Sequence, residues 1–522
     1  MTEPRQFDLL VVGGGINGAG IARDAAMRGL RVCLLDADDW GGGTSSRSSM
    51  LAHGGLRYLE QFELGLVHEA LQDRELMFRQ APHLVRPLRF YYPLYPHIAS
   101  RRTVRVGLWL YDLLSRGKSV PKRGHLKADA VRAVLPGIEA ADLKGAATFW
   151  DGQFQSVERF VMELVLDAQR HGADCRNHTP VRRLLVQDGR CTGAEREYGS
   201  RVEARATINA AGPWVDPLNE RSLPAAPRLI RGTKGSHIVV PRFVDEALIV
   251  RAKDGRTFFV LPWRDHTVIG TTDTDFEGDP RDAVATAEDV AYLQESARAY
   301  FPDAPLDEIR WTYAGVRPLV HQEGLTESHV TRRHRLHDHA GDGAAGLWSI
   351  QGGKLTTYRH LAEEATTTVC RHLGHAGAKE RPTRRATLPG GPLVPWARFR
   401  EGAVAAATQR GLLPASAQHL VDTYGARWQQ ILDVADADGA KRIVKGRPHV
   451  WAEVDAAVRL EQARTLSDVL LRRTDMGFGE GPAGLVARRM QALLEWSDEE
   501  RDAQVAAFRA DARRFDAPKA KD

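Results

Sequence analysis

Residues 7–36 read FDLLVVGGGINGAGIARDAAMRGLRVCLLD: an apolar run, a glycine cluster, a stretch of small residues with helical spacing, and a second apolar run. The first run, 7–12, has the length and continuity of a strand buried on both faces. Residues 16–28 are expected to form a helix stopped by Gly29, and 31–35 a second strand. The order predicts a β–α–β unit in a parallel sheet. Inside it, Gly13-Gly14-Gly15-Ile16-Asn17-Gly18 satisfies G-x-G-x-x-G. Gly13 permits the tight turn, Gly15 lets the backbone approach a pyrophosphate, and Gly18 lets the helix sit close to the sheet with its N-terminus toward the anion. Asp36 ends the second strand where a carboxylate can accept the ribose hydroxyls of an adenosine. These features call for a dinucleotide, either NAD or FAD.

The whole chain sets limits around that unit. Its 522 residues exceed one ordinary core, so two or three domains are expected. Lys plus Arg number 72 against 67 acidic residues, a formal charge of +5 that weakly favours anionic partners, and no block of like charge marks a nucleic-acid stripe. Cys33, Cys175, Cys191 and Cys370 are scattered without metal-ligand spacing, which suits structural thiols in a reduced compartment and no metal centre. The start, MTEPRQFD, lacks the features of a signal peptide. No apolar run reaches the length of about 18 residues that a spanning helix needs, so membrane contact is expected to be peripheral.

Up to about residue 388 the chain mixes strand-like runs, such as 257–261 and 267–270, with helical ones such as 355–373. At Leu388-Pro389-Gly390-Gly391-Pro392 the texture changes, and the remainder of the chain has helical spacing to a frayed end. Two later segments favour FAD over NAD. Residues 206–214, ATINAAGPW, run a strand into small residues, as a long extended cofactor requires. Gly352-Gly353-Lys354-Leu355-Thr356-Thr357 is expected to open a helix whose free N–H groups meet the flavin edge that becomes negative on reduction.

GGGINGAG, TSS-SS followed by HGGLRYLE, AAGPWVD, KGSHIVVP, IGTTDTD, GVRPL and GGKLTTYR occur in the order and spacing of the FAD-dependent glycerol-3-phosphate dehydrogenases. The chain resembles that family from near residue 7 to about 388, and its tail, with LSDVLLRR at 466–473, resembles the family's C-terminal domain. The resemblance implies a mixed α/β fold. A Rossmann-like FAD domain (about 1–80, 145–235 and 335–388) would be interleaved with a sheet-containing substrate domain (about 81–144 and 236–334), and an all-helical domain would fill 389–522.

It also implies roles. Gly13, Gly15, Asn17, Gly18 and Asp36 would hold the adenosine and pyrophosphate end of FAD. Thr44, Ser45, Ser46, Ser49, His53, Gly54 and Gly55 would lie along the cofactor, joined by Val181, Ala211, Gly212, Gly353, Lys354, Leu355 and Thr356. Arg57, Tyr58, Thr272, Arg317, Arg332 and Lys354 would face the substrate, with Thr271 and Asp273 shaping the pocket. His237 would be the general base, assisted by Arg57, Arg317 and Lys354, the last keeping the imidazole neutral. The family usually has lysine where this chain has Met50, which would shift pyrophosphate binding toward Arg47 and the backbone.

The implied reaction is oxidation of glycerol 3-phosphate to dihydroxyacetone phosphate by non-covalent FAD. Electrons would pass to a quinone at the anionic cytoplasmic face of the inner membrane, from a protein resembling homodimers. Rival readings are a glycerol-3-phosphate oxidase using oxygen, an amine or amino-acid oxidase of similar fold, and a silent flavoprotein. For membrane contact the candidate is 100–118, SRRTVRVGLWLYDLLSRGK. As a helix it places Arg101, Arg105, Asp112 and Arg116 on one narrow face and apolar residues over most of the rest, with Trp109 and Tyr111 as interfacial anchors. A core helix of the substrate domain would show the same pattern.

Overall fold

The computed structural model describes residues 6–56, 59, 63–96, 101–115, 117–322, 333–478 and 481–518. Strand Phe7–Val12 (β1), helix Ile16–Met27 (α1) and strand Val32–Leu35 (β2) form the opening β–α–β unit, with β1 and β2 parallel from Leu9–Val32 to Val12–Leu35. Leu9, Leu10 and Val11 are fully buried, as a central parallel strand covered on both faces requires. Gly29, at φ +85°, takes the left-handed position that closes α1, and the helix ends at Met27.

The sheet grows by parallel pairing on both sides of β1. Strands Arg201–Asn209 and then Leu347–Gln351 lie on one side; β2 and then Asp174–Arg176 lie on the other. Strand Arg335–Asp338 closes one edge antiparallel. The hairpin Val181–Gln187 and Arg190–Arg196 extends from Arg201–Asn209, giving eight strands among the described residues.

A second sheet, of ten described strands and almost wholly antiparallel, carries the long strands Val85–Pro93, Ala146–Phe154, Ile230–Pro241 and Trp311–Val320. Strand Ala146–Phe154 pairs with Val85–Pro93 along its whole length, and Leu51–Ala52 pairs with the far end of Ala146–Phe154. Both therefore belong to the second sheet. In chain order the described strands alternate between the two sheets, leaving the first after β2 and after Arg201–Asn209 and returning to it at Asp174–Arg176 and Arg335–Asp338.

Beyond residue 388 the described chain is helical. Its first part has a core of its own around Leu420, Tyr424, Trp428 and Ile431. The later part does not: Val454, Leu466, Val469, Met490, Phe508 and Phe515 share one apolar core with Phe90, Phe149, Val239, Leu261 and Tyr313 of the second sheet. Trp311 stacks on Phe478 at 5.4 Å, and Phe478 meets Phe515 edge-on at 5.2 Å. All four cysteines are buried free thiols.

The helical tail is also joined to the first sheet by buried charge. After β2 the chain turns through Asp39, whose carboxylate takes two bonds from Arg473, at 2.5 and 2.8 Å. Arg473 also donates to the Glu461 carbonyl at 2.7 Å, and the Glu461 carboxylate pairs with Arg159 and Arg427. Burial alone would raise Glu461, but Arg159 and Arg427 hold its carboxyl down at about 2. Cutting one partner from such a pair leaves a stranded buried charge, worth about 3–5 kcal/mol. Arg473→Ala is accordingly expected to lower the thermal unfolding midpoint and release FAD at lower temperature than wild type. Following unfolding by circular dichroism and release by flavin fluorescence checks both; an unchanged midpoint would show that Asp39 is stabilised by other groups.

Candidate active site

The nucleotide turn is shaped by close approach. At Gly13, with φ +104°, a Cβ would lie 2.6 Å from the Ala210 carbonyl oxygen and 2.9 Å from Ala211 Cα. At Gly18 it would lie 1.8 Å from the Gly13 carbonyl oxygen. The Asp36 carboxylate accepts the N–H groups of Gly14 at 2.5 Å and Asp38 at 2.8 Å. Ser45 Oγ accepts the Ile16 N–H at 3.0 Å, and no side chain caps α1 at Gly15. Asn17 Oδ1 is buried with no hydrogen-bond partner among the described residues, and its amide lies beside Gly353. Small residues, a helix start with no cap of its own and an orphaned amide oxygen together fit a dinucleotide.

From there the loop runs across both sheets. Thr44 Oγ1 donates to the Val316 carbonyl at 2.6 Å, and Ser46 Oγ bonds back to the Gly43 carbonyl at 3.0 Å. The His53 N–H donates to Thr356 Oγ1 at 3.0 Å, and the Gly54 N–H to Tyr111 Oη at 2.9 Å. Asp151 anchors this corner, taking bonds from Tyr111 and Arg74 at 2.7 Å each. Burial, aided by the charge of Lys354, depresses His53 to about 4. On the far side, Ala211 N–H bonds Asn209 Oδ1 at 3.2 Å, and Gly212 takes φ +59° to make the turn. Val181 begins its strand, half-buried, against the cluster that includes Val12 and Leu35.

The substrate side is built by strand alternation. Strands Ile230–Pro241 and Trp311–Val320 pair Thr233 with Arg317, Gly235 with Gly315, and His237 with Tyr313, so His237, Tyr313 and Arg317 share one face. The glycines supply the room. A Cβ at Gly235 would lie 2.1 Å from Arg317 Nη2, and one at Gly270 would lie 2.2 Å from the His237 ring. The His237 and Tyr313 rings stack at 4.5 Å and 13°. His237 Nε2 is 2.8 Å from Ser49 Oγ, while its Nδ1 is buried with no hydrogen-bond partner among the described residues. Burial, then the Arg317 charge, depress His237 to about 3, so the imidazole is neutral near pH 7. Arg317 donates to Thr271 Oγ1 at 2.7 Å and Asp273 at 3.0 Å.

Several expectations change in detail. The helix after Gly352-Gly353 starts at Tyr358, because both glycines adopt positive φ and Lys354–Thr357 form a turn first; Leu355 and Thr356 lie in that turn. Thr272 reaches Arg317 through its carbonyl, since its hydroxyl accepts the Ser236 N–H at 2.9 Å. The cation acting on His237 is Arg317 rather than Lys354. Arg47 does not turn to the pyrophosphate: its guanidinium lies 4.4 Å from the Phe515 ring centre. Met50 packs among apolar residues of both cores, a place where a methionine is at home. Arg57, Tyr58 and Arg332 lie outside the described residues. The motifs miss Tyr313, Tyr111 and Asp151 as site residues, although period-two reading of TYAGVRPL puts Tyr313 on the Arg317 face.

Residues 8–359 match the family described as FAD dependent oxidoreductase, and the nucleotide turn joined to this buried polar face defines the protein as a member of that class. Residues 381–501 match the family described as the C-terminal domain of alpha-glycerophosphate oxidase. A glycerol-3-phosphate dehydrogenase from Synechocystis is 37% identical over 96% of this chain and 95% of its own. The aerobic glycerol-3-phosphate dehydrogenase of Escherichia coli is 36% identical over 94% and 98%. The structure of a Bacillus halodurans glycerol-3-phosphate dehydrogenase complexed with FAD aligns with a TM-score of 0.82 at 26% identity, covering 100% of this chain and 97% of that one. The chain belongs to the FAD-dependent glycerol-3-phosphate dehydrogenase family, and its cofactor is FAD.

Asp36, the carboxylate expected at the ribose, is expected to make FAD binding sensitive to pH. Burial pushes its carboxyl up to about 6, against the two N–H groups that favour the charged form. The ribose hydroxyls call for a carboxylate acceptor, so FAD affinity is expected to fall as pH drops through about 6. Titrating apoprotein with FAD from pH 5 to 8 by fluorescence quenching measures this; a flat profile that matches Asp36→Asn would remove Asp36 from the ribose site.

Proposed function

We propose that the protein oxidises sn-glycerol 3-phosphate to dihydroxyacetone phosphate and delivers the electrons to a membrane quinone. The observation that carries the reading is the shared face of Arg317 and a neutral, buried His237. A forked guanidinium suits phosphate oxygens, and a neutral imidazole accepts the C2-hydroxyl proton. FAD, held by the Gly13–Gly18 turn and the Thr44–Gly55 loop, would supply the hydride acceptor. Lys354, whose charge already bears on His53, stabilises the developing alkoxide from the side of the His53–Gly54 loop. Arg57, Tyr58 and Arg332 complete the substrate set by resemblance to the family. The relatives' names, glycerol-3-phosphate dehydrogenase in each, support the substrate. The match of 381–501 to an oxidase domain keeps oxygen as the second reading, and peroxide yield under air separates the two.

Adding glycerol 3-phosphate without oxygen is expected to bleach the flavin, whereas unphosphorylated glycerol barely does. His237→Ala is expected to retain FAD and slow bleaching by roughly 10²- to 10⁴-fold, the range for losing a general base. Wild-type bleaching that glycerol matches would sink the substrate reading; a near-normal rate in His237→Ala would remove it from the base role.

Peripheral attachment is proposed through helix Arg101–Leu114. Its inner face is buried at Leu108 and Tyr111, so Tyr111 is a core residue, corrected from its expected place at the interface. Its outer face leaves Val106, Trp109 and Leu113 exposed by 65%, 52% and 39%, with Arg105, Lys122 and Arg123 exposed nearby in the chain. Among the described residues no helix is long and apolar enough to cross a membrane. An apolar strip with a tryptophan and flanking cations suits the surface of an anionic leaflet, each cation adding about 1 kcal/mol. Val106→Ser/Trp109→Ser is expected to lose most co-sedimentation with phosphatidylglycerol vesicles while keeping FAD. Sedimentation equal to wild type would place the anchor elsewhere.

A further inference from the structure

The hydrogen bonds of His237 are incomplete. Its side chain is essentially inaccessible, Tyr313 fixes its ring plane from one side, and Gly270 leaves only enough space for the ring on the neighbouring strand. Of its two nitrogens, Nε2 faces Ser49 Oγ at 2.8 Å and Nδ1 faces no partner among the described residues. A neutral imidazole carries one proton, so the two nitrogens cannot play the same role. If the proton sat on Nδ1, a buried donor would stay unsatisfied and no lone pair would be free for the substrate. With the proton on Nε2, the existing contact is a donated bond to Ser49, and the Nδ1 lone pair is the one left open.

Resting on the assignment of His237 as the base, we propose that Ser49 is its positioning residue: Ser49 Oγ accepts the Nε2–H, leaves Nδ1 as the atom that takes the C2-hydroxyl proton, and supports the imidazolium that results. The step balances without further reagents. The O–H bond of the C2 hydroxyl breaks and its proton forms an N–H bond at Nδ1. The C2–H bond breaks with its electron pair leaving as hydride to FAD, and the carbon–oxygen bond becomes a carbonyl. The positive charge that appears on the ring sits in a desolvated place beside Arg317, which is why an acceptor at Nε2 matters more here than it would in water. The phosphate dianion offsets the Arg317 charge on binding, and Ser49 provides the neutral, directional support that the arginine cannot.

The placement also ties the base to the cofactor loop. Ser49 belongs to the stretch that begins with Thr44, which is bonded to the Val316 carbonyl on the Arg317 strand. Tyr313 Oη in turn donates to the Ser48 carbonyl at 3.1 Å. On the other side of Ser49 the Phe154 N–H donates to the Met50 carbonyl at 2.8 Å, so Ser49 is held from both flanks and its oxygen has a defined position relative to the His237 ring.

The test compares Ser49→Ala and Ser49→Thr holoenzymes with wild type and His237→Ala by anaerobic stopped-flow bleaching with glycerol 3-phosphate. Ser49→Ala is expected to keep FAD, leave the substrate concentration for half-maximal rate within about 2-fold, and slow the limiting rate by roughly 10- to 100-fold, below the range for losing the base itself. Ser49→Thr, which keeps the hydroxyl, is expected to recover most of that rate. A wild-type limiting rate in Ser49→Ala alongside a slow His237→Ala would overturn the Ser49 role while leaving the base intact. Loss of FAD from Ser49→Ala that Ser49→Thr does not restore would overturn it in favour of a seat for the cofactor. A normal rate in His237→Ala would instead sink the base assignment on which the proposal rests.

Discussion

Asp39 and Glu461 are fully buried carboxylates, and the relation between cofactor loop and helical tail depends on the arginines that reach them. Arg473 spans from the tail to the turn after β2; Arg159 comes from helix Val157–Arg170 and Arg427 from the early tail, so three separate stretches of chain meet at two negative charges. A greasy contact tolerates sliding, whereas a forked guanidinium on a buried carboxylate does not, because any slip leaves charge without a partner. Gln462 extends the register with bonds to Trp40 Nε1 at 3.1 Å and the Cys175 carbonyl at 2.9 Å. The turn after β2 is therefore fixed by residues more than 400 positions away in the chain.

That fixation propagates into chemistry through a short chain of constraints. The turn leads into Gly41-Gly42-Gly43 and then Thr44, whose hydroxyl is tied to the Arg317 strand. His237 and Arg317 hang from the same pair of strands, and the tail packs on the same face of those strands through Trp311, Phe478 and Phe515. The tail thus acts as a brace for two things at once, the path of the cofactor loop and the plane of the His237 sheet.

How much of this can be read from the sequence depends on the range of the interactions involved. β1, α1 and β2 are legible because their pattern is local and repeats with the periods of strand and helix. The sheet that Ala146–Phe154 joins is not legible, because its partner, Val85–Pro93, lies about 60 residues away and nothing in its own residues names that partner. Residues 100–118 are legible as a helix, but which apolar residues face inward is decided by Tyr111 finding Asp151, a contact no spacing rule contains. Among the site residues, His237 and Arg317 are found through motif resemblance, while the Ser49 contact is hidden because it joins a loop to a strand 188 residues on. The glycines before Tyr358 stand out in the sequence, yet read as part of the helix they delay.

Four glycines reverse the usual logic of mutational scanning. Room for Arg317, His237 and the nucleotide turn exists because Gly235, Gly270, Gly13 and Gly18 have no side chain, with the missing Cβ positions 2.1, 2.2, 2.6 and 1.8 Å from their nearest atoms. Replacing a residue by alanine normally removes atoms and reports what they did. At these four positions alanine adds an atom, and reports on empty volume instead. The site is partly a shape carved by omission, and a survey that only truncates side chains would pass over the residues that define its outline.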